Sequence, residues 1–294
     1  MAWLPEEWKK MIISVEEIQT QEDGKTEYVP VGTAFLVDYN GFNVLVTCKH
    51  ILNSADLNKL FLSFNTQDHQ IHRIPFNTLS NNLINWVIDT RPEIDIAIIL
   101  LPLDFDKWDI RKLPLNMFSS YEELYEGDEL FFLGFPLGIK SLSGIHPLVR
   151  QGIIAFKHEG GPFLIDAHVY PGNSGSPVFL KPSVIDFDAK GNVTVGNVKP
   201  PKLIGIISSY IPYVDPCISV QTNRARITFE ENSGLAEVFP VDLIMNLIQS
   251  QFFQKMLEGA DPEKKWGDKE PLKNSGTEKK FNPSNLTNVR LFKK

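Results

Sequence analysis

Short apolar runs alternate with polar turns along most of this chain. Val31 to Val37 and Val44 to Val46 are apolar strand formers separated by a polar segment that holds Asn40-Gly41. An Asn-Gly pair between two such runs predicts a tight hairpin, because both residues tolerate the left-handed backbone that the turn requires. Met11 to Val15, Leu60 to Phe64, Ile71 to Ile74, Trp86 to Ile88 and Ile94 to Leu101 predict further short strands. Their spacing is that of a closed antiparallel barrel. A second series begins at Glu129 to Gly134. It continues through Leu148 to Ala155, Pro162 to His168, Pro177 to Leu180, Lys202 to Ser208, Ile227 to Phe229 and Ala236 to Phe239.

Ser119 to Gly127, between the two series, reads as a helical turn closed by glycine. The expected architecture is therefore all-β, with two packed antiparallel Greek-key barrels. Residues 1–118 form the first and 119–248 the second, while 249–294 hold the end of a closing helix and a flexible tail. That helix is read as one amphipathic element from Pro240 to Leu257, with Leu243, Ile244, Leu247, Ile248, Phe252 and Met256 on one face. Residues 1–10 read as a turn or short helix that packs tryptophan on the body. Residues 181–201 read as an extra hairpin turning at Gly191-Asn192, either a decoration or a lid over the cleft. After Gly259 the composition is that of a disordered tail, and its last residues, Asn288 to Lys294, are a candidate partner-binding segment.

Composition narrows the function classes. The 294-residue chain is 43% hydrophobic, enough for a sizeable core, and carries a formal charge of −7. No basic stripe interleaved with aromatics appears, which argues against a nucleic-acid surface. Two cysteines, Cys48 and Cys217, make no disulfide framework and suggest a reducing compartment. The N-terminus lacks a basic-then-apolar leader. No apolar run approaches the roughly 20 residues of a membrane span. The expectation is a soluble cytoplasmic protein with no membrane attachment.

The stretch Leu164-Ile-Asp-Ala-His-Val-Tyr-Pro-Gly-Asn-Ser-Gly-Ser-Pro-Val-Phe179 carries the candidate chemistry. Gly172 and Gly175 permit a sharp turn that presents the Ser174 hydroxyl and aims two backbone N–H groups, those of Gly172 and Ser174, at one point. Alone, this is equally a Gly/Pro-rich turn that happens to contain serine. A serine nucleophile needs a base, and the base an orienting group. All six histidines, at 50, 69, 72, 146, 158 and 168, precede Ser174, which excludes an α/β-hydrolase, whose histidine follows its serine. His50 stands at the end of an apolar strand. Asp95 heads an otherwise apolar run, where a carboxylate is costly unless paired. Either one alone is equally a structural residue. A metal pair at His69 and His72 has no third ligand nearby, so no metal or cofactor is expected.

With these pieces in order, the chain resembles the chymotrypsin-fold (trypsin-like) serine peptidases, nearest to their Deg/HtrA-type branch. The resemblance rests on Gly32-Thr-Ala-Phe-Leu-Val37, Val46-Thr-Cys-Lys-His50, Asp95-Ile-Ala-Ile-Ile99, Gly134-Phe-Pro-Leu-Gly138, Asp166 to Pro177, Leu203 to Ser208 and Gly234 to Asp242. It implies that His50 is the general base, Asp95 its orienter and Ser174 the nucleophile, with an oxyanion hole at Gly172 and Ser174. It also implies a substrate pocket lined by His168, Tyr170, Ser208, Ser209, Tyr210 and Gly234. Ser208 matches a family serine that also bonds the aspartate, and Tyr210 stands where glycine is common and narrows the pocket mouth. His168 near the pocket base is either a hydrogen-bond donor or filler.

The implied activity is hydrolysis of protein or peptide substrates through an acyl-enzyme, fastest at neutral to mildly alkaline pH. Asn173 replaces the aspartate that pairs with a new N-terminal amine in trypsin-like zymogens, so no maturation cut is expected. Any control would come from ordering of the loop from Gly138 to Pro147. Cys48 is a buried inert thiol or a redox switch on the base. The polar stretch after Gly259 cannot form the PDZ domain usual in Deg-type enzymes. Two rival readings remain, a catalytically silent binding module on the same fold and a protease dedicated to one partner protein.

Overall fold

The computed structural model describes residues 4–22, 24–54, 56–80, 86–101, 108–139, 141, 144–187 and 193–258. Seven strands form the first sheet, in the order β5-β4-β1-β2-β3-β7-β6. They are β1 (Ile12–Thr20), β2 (Thr26–Tyr39), β3 (Phe42–Thr47), β4 (Leu60–Asn65), β5 (Ile71–Pro75), β6 (Trp86–Ile88) and β7 (Ala97–Leu101). A two-residue strand, β8 (Leu113–Pro114), joins β2 in parallel. The β2–β3 hairpin turns at Asn40-Gly41, both with positive φ, 52° and 87°. Asp38 Oδ1 caps the turn by accepting the Gly41 N–H at 2.9 Å. The expected closed first barrel differs in one respect: no ladder joins β5 to β6 among the described residues.

The second group closes completely, in the order β10-β11-β16-β15-β12-β9. Its members are β9 (Glu129–Gly134), β10 (Leu148–Lys157), β11 (Phe163–Asp166), β12 (Pro177–Leu180), β15 (Lys202–Ile218) and β16 (Ala225–Pro240). Between β12 and β15 lies the extra hairpin, β13 (Ser183–Phe187) with β14 (Val193–Lys199), a separate two-stranded sheet. Its turn at Gly191-Asn192 lies outside the described residues, as does the tail from 259 to 294.

The two halves share a core. Phe35, Leu45 and Ile98 from the first sheet cluster with Phe131, Phe179, Leu203 and Phe239 from the second. Burying such side chains stabilises by about 1.5–3 kcal/mol each. The second barrel also has its own interior of Leu130, Phe132, Phe163, Val178, Ile204, Ala236 and Val238. Alternation along β9, β12, β15 and β16 sends one face into that barrel and the other into the shared core. The short helix α1 (Glu6–Lys9) places Trp8 edge-on against Phe179, with ring centroids 5.0 Å apart. Two other short helices, α2 (Lys49–Ser54) and α3 (Phe76–Ser80), follow β3 and β5.

Three sequence expectations need correction. The last two strands are not separate, because β16 runs unbroken for 16 residues against a 17-residue β15. Beyond Tyr210 the pair leaves the barrel as a ribbon exposed along most of its length. The closing helix is two helices, α4 (Val241–Ile248) and α5 (Gln251–Glu258). Ser250 separates them: its hydroxyl donates to Leu247 C=O at 2.7 Å and accepts the Phe253 N–H at 3.3 Å, ending one helix and capping the next. The helical turn expected over Ser119 to Gly127 shrinks to a single 3-10 turn, Tyr121–Glu123. No helix among the described residues is long and apolar enough to cross a membrane.

Candidate active site

His50 is the second residue of α2, which starts two residues after β3 ends. Asp95 lies two residues before the β7 ladder starts at Ala97, in a segment without regular secondary structure. The Lys49 N–H donates to the Asp95 carbonyl at 3.4 Å. The His50 N–H donates to Asp95 Oδ1 at 2.8 Å, and His50 Nδ1 lies 2.6 Å from Asp95 Oδ2. The Ser208 hydroxyl donates to the same Oδ2 at 2.7 Å. Burial pushes the Asp95 carboxyl up. The His50 ring bond and charge, the Ser208 hydroxyl and the His50 N–H outweigh burial and hold it below the usual carboxylate value. A carboxylate on Nδ1 leaves Nε2, on the 46% exposed side chain, facing outward.

Ser174 is held by its backbone. Its carbonyl accepts the Thr33 N–H from β2 at 2.8 Å. Around it, every N–H of the turn but two is committed. Asn173 donates to Tyr170 C=O, Gly175 to Ile207 C=O and Ser176 to Asn173 C=O, at 2.8–2.9 Å. The N–H groups of Gly172 and Ser174 have no acceptor among the described residues. The Leu137 N–H donates to Pro171 C=O at 2.7 Å. Because the Pro171–Gly172 peptide is trans, this bond turns the Gly172 N–H to the opposite side. The Thr33 hydroxyl donates to Gly172 C=O at 2.8 Å and accepts the Phe135 N–H at 3.3 Å, tying β2 and β9 to the turn. Leu137 holds a positive φ of 58° to make its bond. Neither Thr33 nor Leu137 was legible as a site residue from sequence.

Close packing fixes the turn further. A Cβ on Gly175 would stand 1.9 Å from Thr33 O, and Gly175 already holds φ 88°. Gly175→Ala is therefore expected to lower stability by about 3 kcal/mol or more. Gly160, at φ 64° with open space around it, supplies the control. Gly160→Ala should cost only the backbone term of about 1–2 kcal/mol. Urea unfolding of both variants checks the difference.

The structure thus joins His50, Asp95 and Ser208 by hydrogen bonds and docks Ser174 on β2 nearby. No hydrogen bond joins the Ser174 hydroxyl to His50 Nε2 in this resting arrangement, among the described residues. Of the expected pocket residues, His168 and Gly234 adjoin, with His168 Cε1 3.9 Å from where a Gly234 Cβ would be. Tyr170 lies under Arg150, with the guanidinium 5.2 Å from the ring centroid. Ser208 and Ser209 stand on β15. Tyr210 packs on the second barrel's interior, and its hydroxyl donates to Glu230 Oε1 at 2.6 Å. This bond ties Tyr210 on β15 to the neighbouring strand β16.

Cys48, His50 and Asp95 offer ligand atoms within 4.8 Å of one another, the only such trio among the described residues. Its chemistry fits a metal poorly. The thiol donates to Ile207 C=O at 3.1 Å, and burial, followed by the Asp95 charge, raises it well above its ordinary value. Such a thiol stays neutral and shielded, in keeping with the inert role for Cys48. His72 stacks on Trp108 at 5.1 Å between centroids and is held below its ordinary value by burial. Asn173, fully buried, accepts the Tyr170 N–H on Oδ1 at 3.2 Å. Part of the loop from Gly138 to Pro147 lies outside the described residues.

The family model for the trypsin-like peptidase domain matches residues 32–182, just over half of the chain. The chain belongs to the trypsin-like peptidase family. The matched span runs from the Gly32 strand through His50 and Asp95 to the strand after Ser174. A search of curated protein sequences returned no match. Among 437 matching chains of solved structures, one is an HtrA-type protease solved with a decapeptide. It is 17% identical, with a TM-score of 0.45 over 83% of this chain and 64% of its own. This chain thus spans less than two thirds of that protein's length. Membership in the trypsin-like peptidase family agrees with the all-β, two-barrel fold.

Proposed function

We propose that this peptidase is a serine endopeptidase that cleaves proteins or peptides through an acyl-enzyme on Ser174. One observation carries the proposal: in the turn around a serine, only the N–H groups of Gly172 and Ser174 are left without acceptors, beside a histidine already oriented by a carboxylate. Two convergent donors stabilise the oxyanion of a tetrahedral intermediate, and their removal from such sites costs about 10²–10³ in rate. His50 Nε2 takes the Ser174 proton as the hydroxyl attacks the carbonyl, then passes it to the leaving amine. Water then repeats the cycle on the ester. Asp95 keeps the Nδ1 tautomer and offsets the imidazolium charge, with Ser208 fixing its second lone pair. The resting separation of Ser174 from His50 closes on substrate binding, as hydrogen bonds between nucleophile and base commonly do.

The substrate path follows from strand pairing. β12 pairs with β15 only as far as Ile206, so among the described residues the β15 edge from Ser208 to Tyr210 is free beside the Ser174 turn. An extended peptide adds to such an edge by main-chain hydrogen bonds. Substrate side chains then fall toward His168, Tyr170 and Gly234 on one side and toward Ser209 on the other. The turn needs no new amine to form, because Asn173 is already satisfied at Oδ1 by the Tyr170 N–H, which supports activity without a maturation cut. An intracellular setting belongs to the same proposal, since the exposed Cys217 thiol favours a reducing medium.

A second reading has one observation in its favour, the missing Ser174–His50 hydrogen bond: a catalytically silent binding module. Digestion of an unfolded protein such as casein, followed by sequencing of the new termini, separates the two. New termini inside the casein chain support the endopeptidase, and intact casein together with an unreactive serine supports the module.

A further inference from the structure

Glu237 is a half-buried glutamate on the second barrel, close to the strand edge that faces the Ser174 turn. It lies in β16, in the lateral row Leu164–Glu237–Ser209 across β11, β16 and β15. Its neighbours Ala236 and Val238 are fully buried inside the second barrel, so alternation turns Glu237 to the opposite face, the one that carries Phe239. Phe239 is buried in the core shared by the two barrels. The next position on this face is Glu237, half-buried and close enough to Asp95 for the two carboxylates to interact. Ser209 beside it has a short, exposed side chain, so the lateral neighbour on the β15 side leaves the carboxylate open.

Among the described residues no hydrogen bond or ion pair reaches the Glu237 carboxylate. Burial, then the charge of Asp95, hold its carboxyl above the usual range, and His158 opposes them only in part. A half-buried carboxylate turned toward a second carboxylate is costly unless a cation joins it. A positive side chain laid against Glu237 would answer that cost, and the chain's net charge of −7 favours the approach of a basic segment.

We propose that Glu237 forms an acidic subsite that receives a lysine or arginine side chain of the peptide lying along Ser208–Tyr210, so that the protease selects segments bearing a basic residue beside the cleaved bond. The proposal deepens the endopeptidase reading and rests on it. Its test uses fluorogenic peptides identical except for lysine, norleucine or glutamate at each of the three positions on the amino side of the cleaved bond. Wild type, Glu237→Gln and Glu237→Lys are compared by kcat/KM, and the same peptides are titrated onto Ser174→Ala by fluorescence anisotropy.

At one position, wild type should favour lysine over norleucine by about tenfold, and Ser174→Ala should bind with the same bias. Glu237→Gln should bring that ratio close to one at that position alone, and Glu237→Lys should favour glutamate there. Each ratio is internal to one protein, so a general loss of activity cannot mimic the effect. A lysine preference absent from wild type, or unchanged in Glu237→Gln, overturns the subsite. Wild type that reacts with a fluorophosphonate yet shows no such preference loses the subsite and keeps the peptidase reading. Wild type that neither reacts nor cleaves any peptide loses both.

Discussion

Ser174→Ala is expected to lower peptide turnover by roughly 10⁴- to 10⁶-fold while leaving the fold intact. Among the described residues the hydroxyl makes no hydrogen bond, so its removal strips none of those contacts. Ser174 is anchored by its carbonyl, which the Thr33 N–H reaches at 2.8 Å, and alanine keeps that carbonyl. The two free N–H groups also survive, because both belong to the main chain. The substitution therefore isolates covalent chemistry from binding. The residual rate should come from the oxyanion donors and substrate positioning alone, and KM should move little. Steady-state kinetics on a single peptide, with a thermal melt of the same sample, reads both parts. A variant that keeps its wild-type rate removes Ser174 from the mechanism.

Asp95→Asn should cost about 10⁴ in kcat through a different route. Asp95 accepts three hydrogen bonds, from the His50 ring, the His50 N–H and the Ser208 hydroxyl. Asparagine keeps the shape but offers one acceptor oxygen and an NH₂ group. The NH₂ group then meets the His50 ring and forces the tautomer that carries its proton on Nε2, which cannot accept a proton from serine. A pH effect on stability accompanies this loss. The folded-state pKa of Asp95 lies below its ordinary value, so its ionised form stabilises the fold above the unfolded pKa of about 3.9. That contribution disappears as the pH falls through the lower, folded value. The stability gap between wild type and Asp95→Asn should therefore be widest near neutral pH and shrink in acid. Urea titrations at pH 7 and at pH 3–4 measure it, and a gap that grows in acid contradicts the assignment.

The parts of this site that were legible in sequence are those where the backbone itself demands a residue type. Gly172 and Gly175 hold φ of 95° and 88°, and the carbonyls of Phe135 and Thr33 occupy the places of their missing Cβ atoms. Such glycines mark a turn whatever surrounds it. Asp95 was legible because a lone carboxylate interrupts an apolar run. Its partner Ser208 followed from resemblance, and the 2.7 Å bond agrees with it. Thr33 and Leu137 escaped notice because they act on the turn from positions far away in the chain, and a threonine in a strand or a leucine after proline carries no local signal of that.

The ribbon of β15 and β16 was missed for another reason. Past Tyr210 it has no barrel interior to impose alternation, and Pro212 and Pro216 break the apolar pattern that would have announced a strand. Proline is tolerated there because the outer edge of β15 needs no donor. Glu237 hid in plain alternation. In Ala236-Glu237-Val238-Phe239 a glutamate reads as an ordinary solvent-facing residue, and only the packing of the two barrels turns that face toward Asp95.

Site mapping of a fluorophosphonate adduct tests the central claim most directly. Wild-type protein treated with the probe should gain a single adduct, located by peptide mass spectrometry on Ser174, and acidification or the Asp95→Asn substitution should slow its formation. No adduct at Ser174 in folded protein, or reaction that is indifferent to Asp95, would contradict the account.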